Sequence, residues 1–85
     1  MQEFADFLEK YESLSLEEIF FLIDKIKDAG DVFILKIDGQ RRDGEKYMAI
    51  ITLPEIPNFT IRSDEKDLRQ AIYKVLKKYI QVKSN

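Results

Sequence analysis

Asp38 stands at one end of the loop Asp38-Gly39-Gln40-Arg41-Arg42-Asp43-Gly44 and Asp43 or Glu45 at the other, and acids facing one another over a loop are what a divalent cation would need. Solvated turn acids explain the same residues, so no metal site is assigned and no cofactor is expected. A second constellation is basic. Arg69, Lys74, Lys77, Lys78 and Lys83 follow one another with no acid between the first and the last, a row suited to phosphates. Cations near the end of a helix, set against its dipole, account for it equally well. Other chemistry is narrow. The chain has no histidine and no cysteine, which removes Ser-His and Cys-His nucleophile pairs, imidazole bases, His-ligated zinc, thiolate sites and disulfides. Gly30, Gly39 and Gly44 stand apart, so no glycine-rich phosphate loop exists. Catalysis is not expected.

These residues must be held by a small fold. The chain has 85 residues, 45% of them hydrophobic and 12% aromatic, enough for one core in one domain spanning 1–85. No apolar run reaches the roughly 18 residues of a membrane helix, and the acidic start (Glu3, Asp6, Glu9) is unlike a leader, so a cytoplasmic location and no membrane partner are expected. The net charge of −2 is unevenly spread. Residues 1–31 carry nine acids and three bases, whereas residues 32–85 carry seven acids and eleven bases. The acidic front would favour a basic protein partner through electrostatic attraction.

Phe4, Phe7, Leu8 and Tyr11 recur at helical spacing and predict a helix over about residues 2–12. A second helix starts at Ser15, with Glu18 completing a capping box and Leu14 and Ile19 a hydrophobic staple. Its stripe is Leu16, Ile19, Phe20, Ile23 and Ile26, widened by Phe21 and Leu22, and Gly30 ends it. The β-branched run Val32 to Ile37, the loop Asp38 to Gly44 and the run Tyr47 to Leu53 form a hairpin. A short third strand, Phe59 to Arg62, precedes a helix over about 65–82, capped by Ser63 or Asp64, with a stripe of Leu68, Ile72, Val75, Leu76 and Tyr79. The helical front thus covers about 2–29 and the sheet about 31–62. The fold class is α+β, in the order α-α-β-β-β-α, with a three-stranded antiparallel sheet packed by helices.

Both faces of the first two strands are apolar. Phe33, Leu35 and Ile37 back Val32 and Ile34; Tyr47, Ala49, Ile51 and Leu53 back Met48 and Ile50. A sheet with one solvated face alternates apolar with polar. Helices one and two are therefore expected on one face and the last helix on the other. The alternative leaves one face for a homodimer or a partner protein.

Pro54 and Pro57 cannot sit in a central strand, so 54–58 is a rigid connector that leaves the sheet and re-enters at Phe59, with Asn58 suited to positive φ. Its residues Glu55, Ile56, Asn58 and Phe59, with Arg41 and Arg42 of the hairpin loop, are the candidate partner-binding surface. Arg69, Lys74, Lys77 and Lys78 are the candidates for a nucleic-acid alternative.

Two resemblances bear on these candidates. The order α-β-β-β-α is similar to the double-stranded-RNA-binding domain, whose mark is a lysine cluster opening the last helix; here Asp64-Glu65-Lys66-Asp67 stands there and would repel phosphates. Residues 32–81 resemble antitoxins of the HicB type. The strand Tyr47 to Leu53, the segment Pro54-Glu55-Ile56-Pro57-Asn58-Phe59 and the helix start Asp67-Leu68-Arg69-Gln70-Ala71-Ile72 look like that family's strand, Pro-Asp-Leu-Pro-Gly-Cys and Thr-Leu-Glu-Glu-Ala-Leu. The family's Gly-Cys is Asn58-Phe59 here, two helices precede the likeness, and no separate DNA-binding module follows. The resemblance implies a partial RNase-H-like sheet that inhibits a basic RNA-cleaving toxin by covering it. The expected function is accordingly a non-catalytic protein-interaction module, a small inhibitor or antitoxin-like protein; a nucleic-acid binder is the alternative.

Overall fold

The computed structural model describes residues 2–42 and 44–84. Helix α1 (Gln2–Glu9) is followed by a 3₁₀ turn (Tyr11–Ser13), helix α2 (Leu16–Asp28), strands β1 (Val32–Ile37), β2 (Tyr47–Thr52) and β3 (Thr60–Glu65), and helix α3 (Leu68–Lys83). The sheet is antiparallel in the order β1-β2-β3, so β2 is central and both other strands are edges.

Local chemistry sets most boundaries. Ser15 accepts from the Glu18 N–H while the Glu18 carboxylate accepts from the Ser15 N–H at 2.9 Å, the capping box the sequence predicts. Leu14 and Ile19 are both buried beside it. α2 ends in a Schellman arrangement: Gly30 takes φ +86°, its N–H reaches the Lys27 carbonyl at 2.9 Å, and the Asp31 N–H reaches that of Ile26 at 3.1 Å.

Four local expectations are corrected. The first helix stops at Glu9 and is followed by the 3₁₀ turn, from which the Tyr11 hydroxyl donates to the Arg69 carbonyl at 2.6 Å. β3 starts at Thr60 and runs on to Glu65, and α3 is capped by Asp67, which accepts from the Gln70 N–H. Ser63 and Asp64 are strand residues instead. Ser63 donates to the Ala71 carbonyl at 2.6 Å, and Asp64 holds two arginines. The stripe of α2 is also rotated from the expected one: Ile19, Leu22 and Ile26 are buried, while Leu16, Phe20 and Phe21 are exposed.

The largest correction concerns the layers. Phe4, Leu8, Ile19, Leu22 and Ile26 from the first two helices share one core with Ile72, Val75, Leu76 and Tyr79 of α3 and with Ala49, Ile51 and Ile61 of the sheet. All three helices therefore cover the same face. The molecule measures 37 × 34 × 18 Å, thin enough for two layers only. Ala71, absent from the predicted stripe, is fully buried where α3 meets the sheet. No described helix is long and apolar enough to cross a membrane.

Candidate functional site

The face opposite the helices is built from alternate residues of each strand. The pairing register aligns Ile34, Ile50 and Arg62 in one row, Val32, Thr52 and Thr60 in the next, and Lys36, Met48 and Asp64 in the third. Val32 and Ile34 are 43% and 49% exposed, and Ile50 and Met48 are half-buried beside them. This is an apolar stripe over β1 and β2 that turns polar at β3. Arg62 and Arg41 bound it, both on the Asp64 carboxylate at 2.9 and 2.8 Å. Hydrogen bonds from Arg62 and then Arg41 hold the Asp64 pKa below its ordinary value, and Asp64 raises that of Arg62. The sequence carried the signal for this surface, apolar residues at both parities of a strand, but not which parity the helices would take.

The candidate residues around the prolines separate into two places. The connector is two successive turns, each with proline second. The Ile56 N–H bonds to the Leu53 carbonyl at 3.0 Å, and the Phe59 N–H bonds to that of Ile56 at 3.2 Å. Asn58 holds φ 60°, the left-handed third position of a turn led by Pro57. Glu55, Ile56 and Asn58 are exposed, whereas Phe59 is partly buried against the core. Arg41 and Arg42 lie at the other end of β2, five residue steps or roughly 17 Å away. Arg42 is exposed; Arg41 is engaged with Asp64. These six residues do not form one surface.

The basic candidates also divide. Arg69 points inward, donating from Nη2 to the Leu14 carbonyl, and its Nη1 is buried without a hydrogen-bond partner among the described residues. Lys74 binds Glu65 at 2.6 Å. Lys77 and Lys78 are exposed. Burial pushes the Tyr11 hydroxyl, which ties this region together, up to about 12. In the hairpin loop, Asp38 accepts from the Gln40 N–H at 2.9 Å as a turn residue, and Lys46 donates to the Arg41 and Gly39 carbonyls. Gly44 takes φ +86° against Lys66. Of the two acids that could face Asp38, Asp43 lies outside the described residues and Glu45 is exposed; among those described, no group of three or more acids could hold a metal.

The sequence reading missed one buried polar site. Asp31, 7% exposed, accepts from the Tyr79 hydroxyl at 2.6 Å and from Lys83 at 2.8 Å. Burial, and then the hydrogen bond to Asp31, push the Tyr79 hydroxyl well above the ordinary range. The three residues clamp the start of β1 to the end of α3. A broad cleft of about 490 Å³ opens beside the 3₁₀ turn, lined by Glu9, Lys10, Glu12, Gln70 and Tyr73 among others. Comparison with protein-family profiles, curated proteins and solved structures finds no match.

Proposed function

We propose that this protein is a non-catalytic protein-interaction module, an inhibitor- or antitoxin-like domain that covers a partner protein with the open face of its sheet. One observation carries the reading: Val32, Ile34, Met48 and Ile50 form a contiguous apolar stripe with no described helix over it. A rigid sheet presenting such a stripe loses little entropy on docking, and the charged row at β3 sets the rim. The partner is basic overall. The acidic first 31 residues speed its approach, while the apolar stripe holds it. The phosphate-binding alternative draws less support, since Arg69 and Lys74 are engaged within the fold and only Lys77 and Lys78 of its four residues stand clear.

The test is affinity capture of the tagged protein from lysate of its source, with and without nuclease, repeated with three variants whose folding is checked by circular dichroism. A stoichiometric protein that survives nuclease and is lost from Ile50→Asp, but kept by the Lys74→Glu/Lys77→Glu/Lys78→Glu triple variant, is the expected result. Retention unchanged in Ile50→Asp and lost in Ile56→Asp would move the surface to the connector. Retention that vanishes with nuclease or in the lysine variant would overturn protein binding in favour of nucleic acid.

A further inference from the structure

We propose that β1 pairs with β1 of a second copy of this chain, antiparallel about a two-fold axis through Leu35, joining two three-stranded sheets into one of six strands. This inference stands apart from the partner reading, because it uses the edge of the sheet and not its face.

The edge is identified by the hydrogen-bond alternation. The Asp38 N–H bonds to the Lys46 carbonyl at 2.8 Å, one step beyond the Ile37–Tyr47 pair. In an antiparallel ladder, bonded and non-bonded pairs alternate, so Lys36, Ile34 and Val32 bond to β2. The N–H and C=O groups of Phe33, Leu35 and Ile37 therefore point away from β2. Among the described residues, none of them takes part in a turn, loop or cap bond either. Six backbone groups in a row, on a strand of sequence Val-Phe-Ile-Leu-Lys-Ile, are a template for another strand.

The occupant follows from self-complementarity. With the axis through Leu35, Phe33 faces the second copy's Ile37, Leu35 faces its own equivalent, and Ile37 faces the second copy's Phe33. All six outward groups of each protomer then pair, and every side-chain pair on the helix side of the seam is apolar. Moving the axis to Ile34 sets Ile37 against Asp31, whose N–H already bonds to Ile26. Moving it to Lys36 leaves Phe33 opposite Gly39. A shift that mixes odd with even residues would set the core-side row against the open-side row.

Side-chain exposure fits the same seam. Ile37, on the core side of β1, is nevertheless 61% exposed, and Phe33 and Leu35 are only partly buried. On α2, Phe21 meets Phe7 of α1 edge-on at 6.2 Å, and Leu16, Phe20 and Ile23 lie on a different flank at helical spacing. α2 packs on β1, whereas α3 covers β2 and β3 with α1 beside it. Leu16 and Phe20, 48% and 51% exposed, leave further apolar surface on the helix next to this edge. The seam is about 20 Å long, at about 3.3 Å per residue, and 18 Å deep. That is roughly 360 Å² in projection on each protomer, the size of a reversible contact and not of an obligate dimer.

Sedimentation equilibrium from micromolar to millimolar concentration is the first measurement, paired with amide exchange by NMR at both limits. The expected mass rises from 10.1 kDa toward twice that value. The amides of Phe33, Leu35 and Ile37 gain protection on the order of tenfold at high concentration, while those of Val32, Ile34 and Lys36 are protected throughout. Ile37→Lys, placed at the most exposed of these side chains, should abolish the concentration dependence. A synthetic chain N-methylated at Leu35 should do the same, since it loses one outward donor and keeps every hydrogen bond of the monomer. A constant mass with unprotected odd-numbered amides would overturn the proposal. So would a dimer that Ile50→Asp dissolves and N-methyl-Leu35 does not, because that contact would be the sheet face. Failure here leaves the partner assay unaffected, and the two readings fall separately.

Discussion

The two edges of the sheet solve the same problem in opposite ways. β3 ends the sheet with Thr60, Arg62 and Asp64 alternating outward from Ile61 and Ser63, and its charges are tied to Arg41 and, through Glu65, to Lys74. Another strand laid there would have to strip water from these ions, so the edge is closed to pairing by solvation. β1 ends the sheet with a single lysine among five apolar residues. Its protection is positional: it is clamped at its start by Asp31 and leaves its row of backbone groups open. The difference teaches that an edge can be stable within its own fold and still be incomplete as a surface.

The sharpest way to break this contrast is to compare one core residue from each edge. Ile61 is 5% exposed, and Ile61→Ala should cost about 3 kcal/mol in urea unfolding. Leu35 is only partly buried, and Leu35→Ala should cost about half as much at micromolar concentration. If the two losses are equal in dilute solution, β1 is as well covered as β3 and the contrast disappears.

The next effect concerns how each edge is tied down. Lys83→Met leaves the Asp31 carboxylate buried on the Tyr79 hydroxyl without its cation, at a cost of about 2 kcal/mol. Adding Asp31→Asn should recover part of it, because the uncompensated charge goes. A Lys83→Met protein as stable as the parent would mean that the clamp is not electrostatic.

The smallest effect belongs to β3. Asp64 has its pKa lowered in the folded state, so its contribution is present above the unfolded carboxylate value of about 4 and is lost as pH falls through the folded value. Asp64→Asn should therefore be slightly less stable than the parent at neutral pH, with the gap closing on acidification. A gap that stays constant from pH 7 to pH 3 would remove the carboxylate's charge from the account.

The local features were legible in the sequence because they depend on neighbours in the chain. Ser15 with Glu18 specifies a helix start, Gly30 a stop, Pro57 with Asn58 a turn, and two β-branched runs around a glycine-containing loop a hairpin; each is a backbone preference satisfied within a few residues. The element order and the α+β class follow from these. The same local logic misplaced the last helix start, since Asp64 and Asp67 are equally good caps, and it is Arg62 of the same strand and Arg41 of the hairpin loop that claim Asp64. It misjudged Phe20 and Arg69 for a similar reason, because burial is decided by what lies opposite. Which face of the sheet the helices cover, and that Asp31 meets Tyr79 and Lys83 from 48 and 52 positions away, were settled by tertiary packing alone. A period of two says that a strand has two faces; only the three-dimensional arrangement of the helices says which of them is left to meet another molecule.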